Sequence, residues 1–140
     1  MTATETPAIS HIEELLAENG YEVTDLGGDV LRARDPETGI ALQAALEGNV
    51  LYMSVALHTV AETALPASLM RKMLAGENGI STSAFKLYEA GEGRVTVTLN
   101  NFCTLQNMGE EDKDDVLSLA NYLMADLLEA RALIEGGGAA

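Results

Sequence analysis

Apolar positions along this chain follow a helical rhythm first, then an alternating one, and then repeat the exchange. Ile9, Ile12, Leu15 and Leu16 fall at helical spacing while Glu13, Glu14 and Glu18 lie largely elsewhere, which predicts a short amphipathic helix. Ser10-His11-Ile12-Glu13 has the pattern of a capping box at its start, and Asn19-Gly20 closes it. From Tyr21 the texture changes to short apolar runs cut by turn residues: Gly27-Gly28-Asp29, Asp35-Pro36-Glu37-Thr38-Gly39 and Glu47-Gly48-Asn49. Between them Val30 to Arg34, Ile40 to Leu46 and Val50 to Thr59 read as an antiparallel meander, with Tyr21 to Leu26 a candidate short leading strand. The third run is the clearest, since Leu51, Met53, Val55 and Leu57 alternate with Tyr52, Ser54, Ala56 and His58.

A second helical stretch follows Pro66, where Leu65, Leu69, Met70, Met73 and Leu74 recur until Gly76 stops the run. Ile80 to Tyr88, the Gly91-Glu92-Gly93 turn and Arg94 to Asn100 then predict a hairpin. A last helix is expected from Glu110 to Glu135, opened by acids that suit the positive end of a helix dipole. Its stripe runs through Val116, Ala120, Leu123, Leu127, Ala130 and Ile134. The expectation is therefore one α+β domain over residues 9–135, in the order α-β-β-β-α-β-β-α, with helices packed on a five-strand antiparallel sheet. Residues 1–8 and the Gly-rich 136–140 read as flexible ends.

Composition narrows the possible partners. Eight Lys and Arg face 22 Asp and Glu, giving a net charge of −14, a field that repels phosphate backbones and anionic lipid surfaces. Neither nucleic acid nor membrane insertion is expected. Residues 1–7 lack a basic cluster and an apolar run, and Cys103 stands alone, so the reading is a cytoplasmic protein without a disulfide.

No set of residues has the order that catalysis or metal binding needs. His11 and His58 share no ligand spacing, and Cys103 has no base or cation beside it in sequence, which points to a buried structural thiol. Glu110, Glu111, Asp112, Asp114 and Asp115 lack the alternation and closing glutamate of a calcium loop and read as a solvated helix start. An enzyme is not expected, and neither a metal nor another cofactor is implied. What exceeds the ordinary is apolar surface: Met53, Met70, Met73, Met108 and Met124 are adaptable contact residues or core filler, and a sheet edge can accept an extended peptide.

The run Gly28 to Arg34, then Ile40 to Leu46, Gly48 to Met53, the helix Leu69 to Leu74, a hairpin and a long final helix resembles the type III secretion chaperone family. The same layout is shared by the YbjN-like sensory-transduction regulators. It is shared too by an uncharacterised bacterial family encoded beside phage-shock-protein-A-like genes, which the stretch from Ser81-Thr82-Ser83-Ala84-Phe85 onward resembles about equally. The chaperone resemblance implies a small acidic homodimer that holds a secreted effector in extended form without ATP. In that family the central helix contributes the dimer interface, here Leu69, Met70, Met73 and Leu74, while the first helix and the sheet offer the client grooves, here pointing to Ile12, Leu15 and Leu16. The regulator resemblance implies instead a module that binds a folded protein partner.

Overall fold

A computed structural model describes residues 6–76, 78–80 and 82–138, with side chains as far as Ile134. Residues 1–5 and 139–140 of the expected flexible ends, and Ser81 of the second β block, lie outside the described residues. The elements are α1 (Ile9–Glu18), β1 (Glu22–Gly27), β2 (Val30–Arg34), β3 (Ala41–Glu47), β4 (Val50–Ala61), α2 (Ala67–Leu74), β5 (Ala84–Gly91), β6 (Arg94–Thr104) and α3 (Glu110–Gly138). The α+β class and the order of helices and strands match the sequence expectation, with one correction. Tyr21 to Leu26 contributes a full strand, so the sheet has six strands, ordered β1-β2-β3-β4-β6-β5. Its neighbours run antiparallel.

The protein forms two compact units, residues 1–54 with 101–121 and residues 55–100 with 122–140. In unit 1 the meander is held by tight turns. Gly28 and Asp29 both take positive φ, at 62° and 63°, the geometry a two-residue hairpin needs to match strand twist. Alternation then sorts the side chains: Leu31, Ala33, Leu42, Ala44, Leu46, Leu51 and Met53 are buried, whereas Arg32, Gln43 and Tyr52 on the opposite face are exposed. Helix α1 packs on β1 and β2 and buries Ile12, Leu15 and Leu16, which is what stabilises so short a helix. Asn49 and Leu105 tie two loops of this unit together, the Leu105 N–H donating to the Asn49 carbonyl at 2.7 Å and Asn49 Nδ2 to the Leu105 carbonyl at 3.2 Å.

In unit 2 the core is Leu65, Leu69, Met73, Val95 and Val97, with Leu57, Val60, Met70, Phe85, Leu133 and Ile134 packed around it. Pro66 stands at the N-cap of α2, one position before the first helical turn. The far end of α2 is closed by Asn78, whose Nδ2 donates to the Met73 carbonyl at 2.6 Å and whose Oδ1 accepts the Ile80 N–H at 2.9 Å. Thr59 and Thr96 hydroxyls, 2.9 Å apart, and Arg94 donating to the Thr59 carbonyl join β4 to β6 within this unit.

Three local expectations are corrected. The cap of α1 is Ala8, not Ser10, and the residue three positions on is His11, whose Nδ1 accepts the Ala8 N–H at 3.1 Å. The histidine supplies the back-reaching half of a capping box because helix entry falls two residues earlier than the serine suggests. Strand β6 continues past Asn100 to Thr104, so Phe102 and Cys103 are strand residues. Helix α3 continues past Glu135 through Gly138, although glycine disfavours helix by about 1 kcal/mol per residue relative to alanine. Nothing in the structure explains this extension.

Candidate polypeptide-binding surface

Two buried carboxylates, Asp112 and Asp126, are the groups that sequence reasoning misses. Asp112 belongs to the acidic start of α3, expected to be solvated, but it is only 4% exposed. Its Oδ2 accepts the backbone N–H groups of Gln106, Asn107 and Met108 at 2.7, 2.9 and 2.8 Å. Met108, held at φ 59°, turns the backbone so that all three donors converge on one oxygen. Asp126, 3% exposed, accepts the Ser83 N–H at 3.3 Å in unit 2. Each carboxylate fastens the loop beside an adjacent element, and Asp112 also satisfies the buried Met108 N–H, which would otherwise be stranded. These roles are structural.

The other candidates for chemistry are equally committed. His11 caps α1. Cys103 is half-buried, and burial, followed by the charges of Asp115 and Asp112, pushes its thiol up to about 11, so it stays protonated and unreactive near neutral pH. Tyr21 lines a cleft of about 270 Å³ with Asn19, Gly20, Asp35, Leu117 and Asn121. Burial, then the Asp35 carboxylate, raises its phenol above the usual range, so there too the proton is held. Among the described residues no group of three or more His, Cys, Asp or Glu is arranged to hold a metal ion.

The residues assigned to partner binding and to the dimer seam from the resemblance are mostly buried. Ile12, Leu15 and Leu16 are buried side chains of α1 in unit 1. Leu69 and Met73 are likewise buried in unit 2, leaving Met70 half-buried and Leu74 79% exposed on α2. Hydrophobicity and spacing identify the apolar side of a short helix, and in both helices the protein's own core takes that side first. Met53, Met73 and Met108 are core filler, while Met70 and Met124 are half-buried.

Large apolar groups are left uncovered on helices, at Leu74 of α2 and Tyr122 and Leu128 of α3, and on the strands, at Leu26, Tyr52, Leu87, Tyr88 and Phe102. In unit 1, Tyr52 (44% exposed) on β4 and Phe102 (61% exposed) on β6 form a tilted aromatic pair with ring centroids 6.1 Å apart. Cross-strand register places Ala45 beside Tyr52 and Val30 beside Ala45, both half-buried on the same face. Arg32 and Gln43 form the next row, two residues along. Glu22 and Arg34 close the margin as an exposed ion pair at 3.1 Å, worth little in stability but neutral in sum. An aromatic and aliphatic strip with mixed polar flanks thus lies open in a protein that is otherwise heavily negative. In unit 2, β5 is an end strand whose Leu87 and Tyr88 are half exposed on opposite faces, so both its sides and its edge are accessible.

No family model matches the sequence, and no curated protein sequence matches it. Among solved structures the protein is similar to YbjN from E. coli, described as a proposed transcription regulator, at TM-score 0.66 and 16% identity over 93% of this protein and 95% of that one. The fold is therefore YbjN-like. At this identity the likeness extends to the fold alone.

Proposed function

We propose that this protein is a non-enzymatic module that binds a partner polypeptide on the uncovered sheet face of unit 1, with Tyr52 and Phe102 as anchors. The observation that carries this reading is the aromatic pair itself: two large rings left on an open face, where interfaces concentrate such residues and their binding energy. Polar side chains are committed to capping and loop fastening, which favours binding over catalysis. The chaperone form of the reading has the partner as a secreted effector segment lying extended across the face, held by a homodimer. Met70 and Leu74 are the members of the expected dimer seam that α2 leaves available.

The YbjN-like fold favours a regulatory form of the same activity, in which the partner is a folded protein. With a net charge of −14, such a regulator acts through protein contacts rather than by gripping a phosphate backbone. The test is photo-crosslinking from position 102 in the native cytoplasm, with the crosslinked peptides identified by mass spectrometry. One protein crosslinked along an unstructured segment supports the chaperone form; crosslinks to a folded domain support the regulatory form. An unselective set of abundant proteins, unchanged by Tyr52→Ser, would remove this face as the binding site.

A further inference from the structure

Unit 2 contains a cleft of about 200 Å³ lined by Leu57 and His58 of β4 and by Arg131 and Ile134 of α3. Leu57 and Ile134 are its apolar walls, since both pack against the Leu65, Leu69, Met73, Val95 and Val97 core. His58 and Arg131 are exposed. Arg131 pairs with no carboxylate among the described residues, in a protein where acids outnumber basic residues 22 to 8. A guanidinium holds its charge throughout the accessible pH range and offers a planar fork of donors. An amphipathic cleft results, with a fixed cation and an imidazole alongside an aliphatic wall.

We propose that this cleft binds the carboxylate of a short aliphatic acid of five or six carbons. The carboxylate accepts the paired N–H groups of Arg131 and a ring N–H of His58, while the alkyl body lies against Leu57 and Ile134. Size sets the length: 200 Å³ holds roughly six or seven groups at about 30 Å³ each, too few for a nucleotide or a long acyl group. Charge sets the head group, because one fixed cation within a field of −14 balances a monoanion and leaves a phosphate dianion uncompensated. The same chemistry ends a polypeptide at leucine or isoleucine, so a free acid and the carboxyl end of a polypeptide are two sources of one ligand. The site lies in unit 2 and its test does not depend on the sheet face of unit 1.

The experiment is an NMR titration of the full-length, isotopically labelled protein with 4-methylpentanoate, its neutral amide, and acetyl-Gly-Gly-Leu with free and with amidated carboxyl end. The expected result is saturable shifts at the amides of Leu57, His58, Arg131 and Ile134 with millimolar Kd, and binding of each neutral amide weaker by about tenfold. Arg131→Gln, at an exposed position, should keep the wild-type spectrum and lose about tenfold in affinity, and Ile134→Ala should weaken the acid without restoring the amide. Tighter binding of the tripeptide than of the free acid assigns the ligand to polypeptide termini, and the reverse assigns it to free acids. Absence of saturable shifts, equal binding of acid and amide, or full affinity in Arg131→Gln overturns the site.

Discussion

Replacing Asp112 tests most directly how this fold is held, because one carboxylate oxygen serves three backbone donors. The three are not equal. Gln106 and Asn107 are exposed, so their N–H groups can turn to water when the acceptor goes, and each loss is on the order of 1 kcal/mol. Met108 is buried and held at φ 59°, so its N–H is stranded, at about 1–3 kcal/mol, and the turn it supports loses its restraint. Asp112→Ala should therefore lower stability by about 3–5 kcal/mol, and Tm by roughly 10–20 °C for a domain of this size. Asp112→Asn keeps an acceptor oxygen without the charge and should lose about half as much, since charge-assisted bonds are about twice as strong as neutral ones. Urea unfolding followed by far-UV circular dichroism reads both values, with an unchanged m showing that the unfolded state is not involved. A loss below about 1 kcal/mol in the alanine variant, or equal losses in the two, would refute the account of the carboxylate as the fastener of the 106–108 loop.

Other outcomes follow from the same structure. Cys103, its thiol at about 11, should react with a neutral-pH alkylating reagent only at the rate set by roughly one thiolate in a thousand at pH 8; fast labelling of the native protein would contradict this. Because folding raises that value, the folded state binds the proton more tightly. Its contribution to stability is complete below the unfolded thiol's range and is lost as pH climbs toward 11, which a Cys103→Ala comparison of alkaline unfolding would reveal. Leu51→Ala, fully buried on β4, should remove about 2–5 kcal/mol by chemical denaturation. Tyr52→Ser should change stability by under about 1 kcal/mol while abolishing partner crosslinking from position 102, a separation that core residues would not show.

The elements of this fold are legible where the sequence repeats itself. Leu51, Met53 and Val55 announce a half-buried strand, and Gly48, Gly91 and Gly93 mark the turns that require positive φ. Strand β1 is hard to see because only Val23 among its six residues is even half-buried, so alternation leaves no trace. The acids of α3 do carry a signal. Asp112, Val116, Leu119, Leu123, Asp126 and Ala130 follow one another at steps of four and three, which places both aspartates on the buried stripe. The uncovered aromatic residues escape sequence reasoning for a different reason. Ile12, Leu15 and Leu16 are as apolar as Tyr52 and Phe102, and only tertiary packing decides which set is covered.

The two units are interleaved along the sequence: the first is left at Ser54, resumed at Asn101 and closed at Asn121, and the second waits for the remainder of α3. Neither is therefore a cassette that recombination could lift out with a single cut and graft elsewhere. On the ribosome the opening meander must wait several seconds, at about 5–20 residues per second, for the stretch from Asn101 that completes its unit. Throughout that interval its strands are synthesised but unfinished, so birth, more than maturity, is when this polypeptide depends on protection from its neighbours.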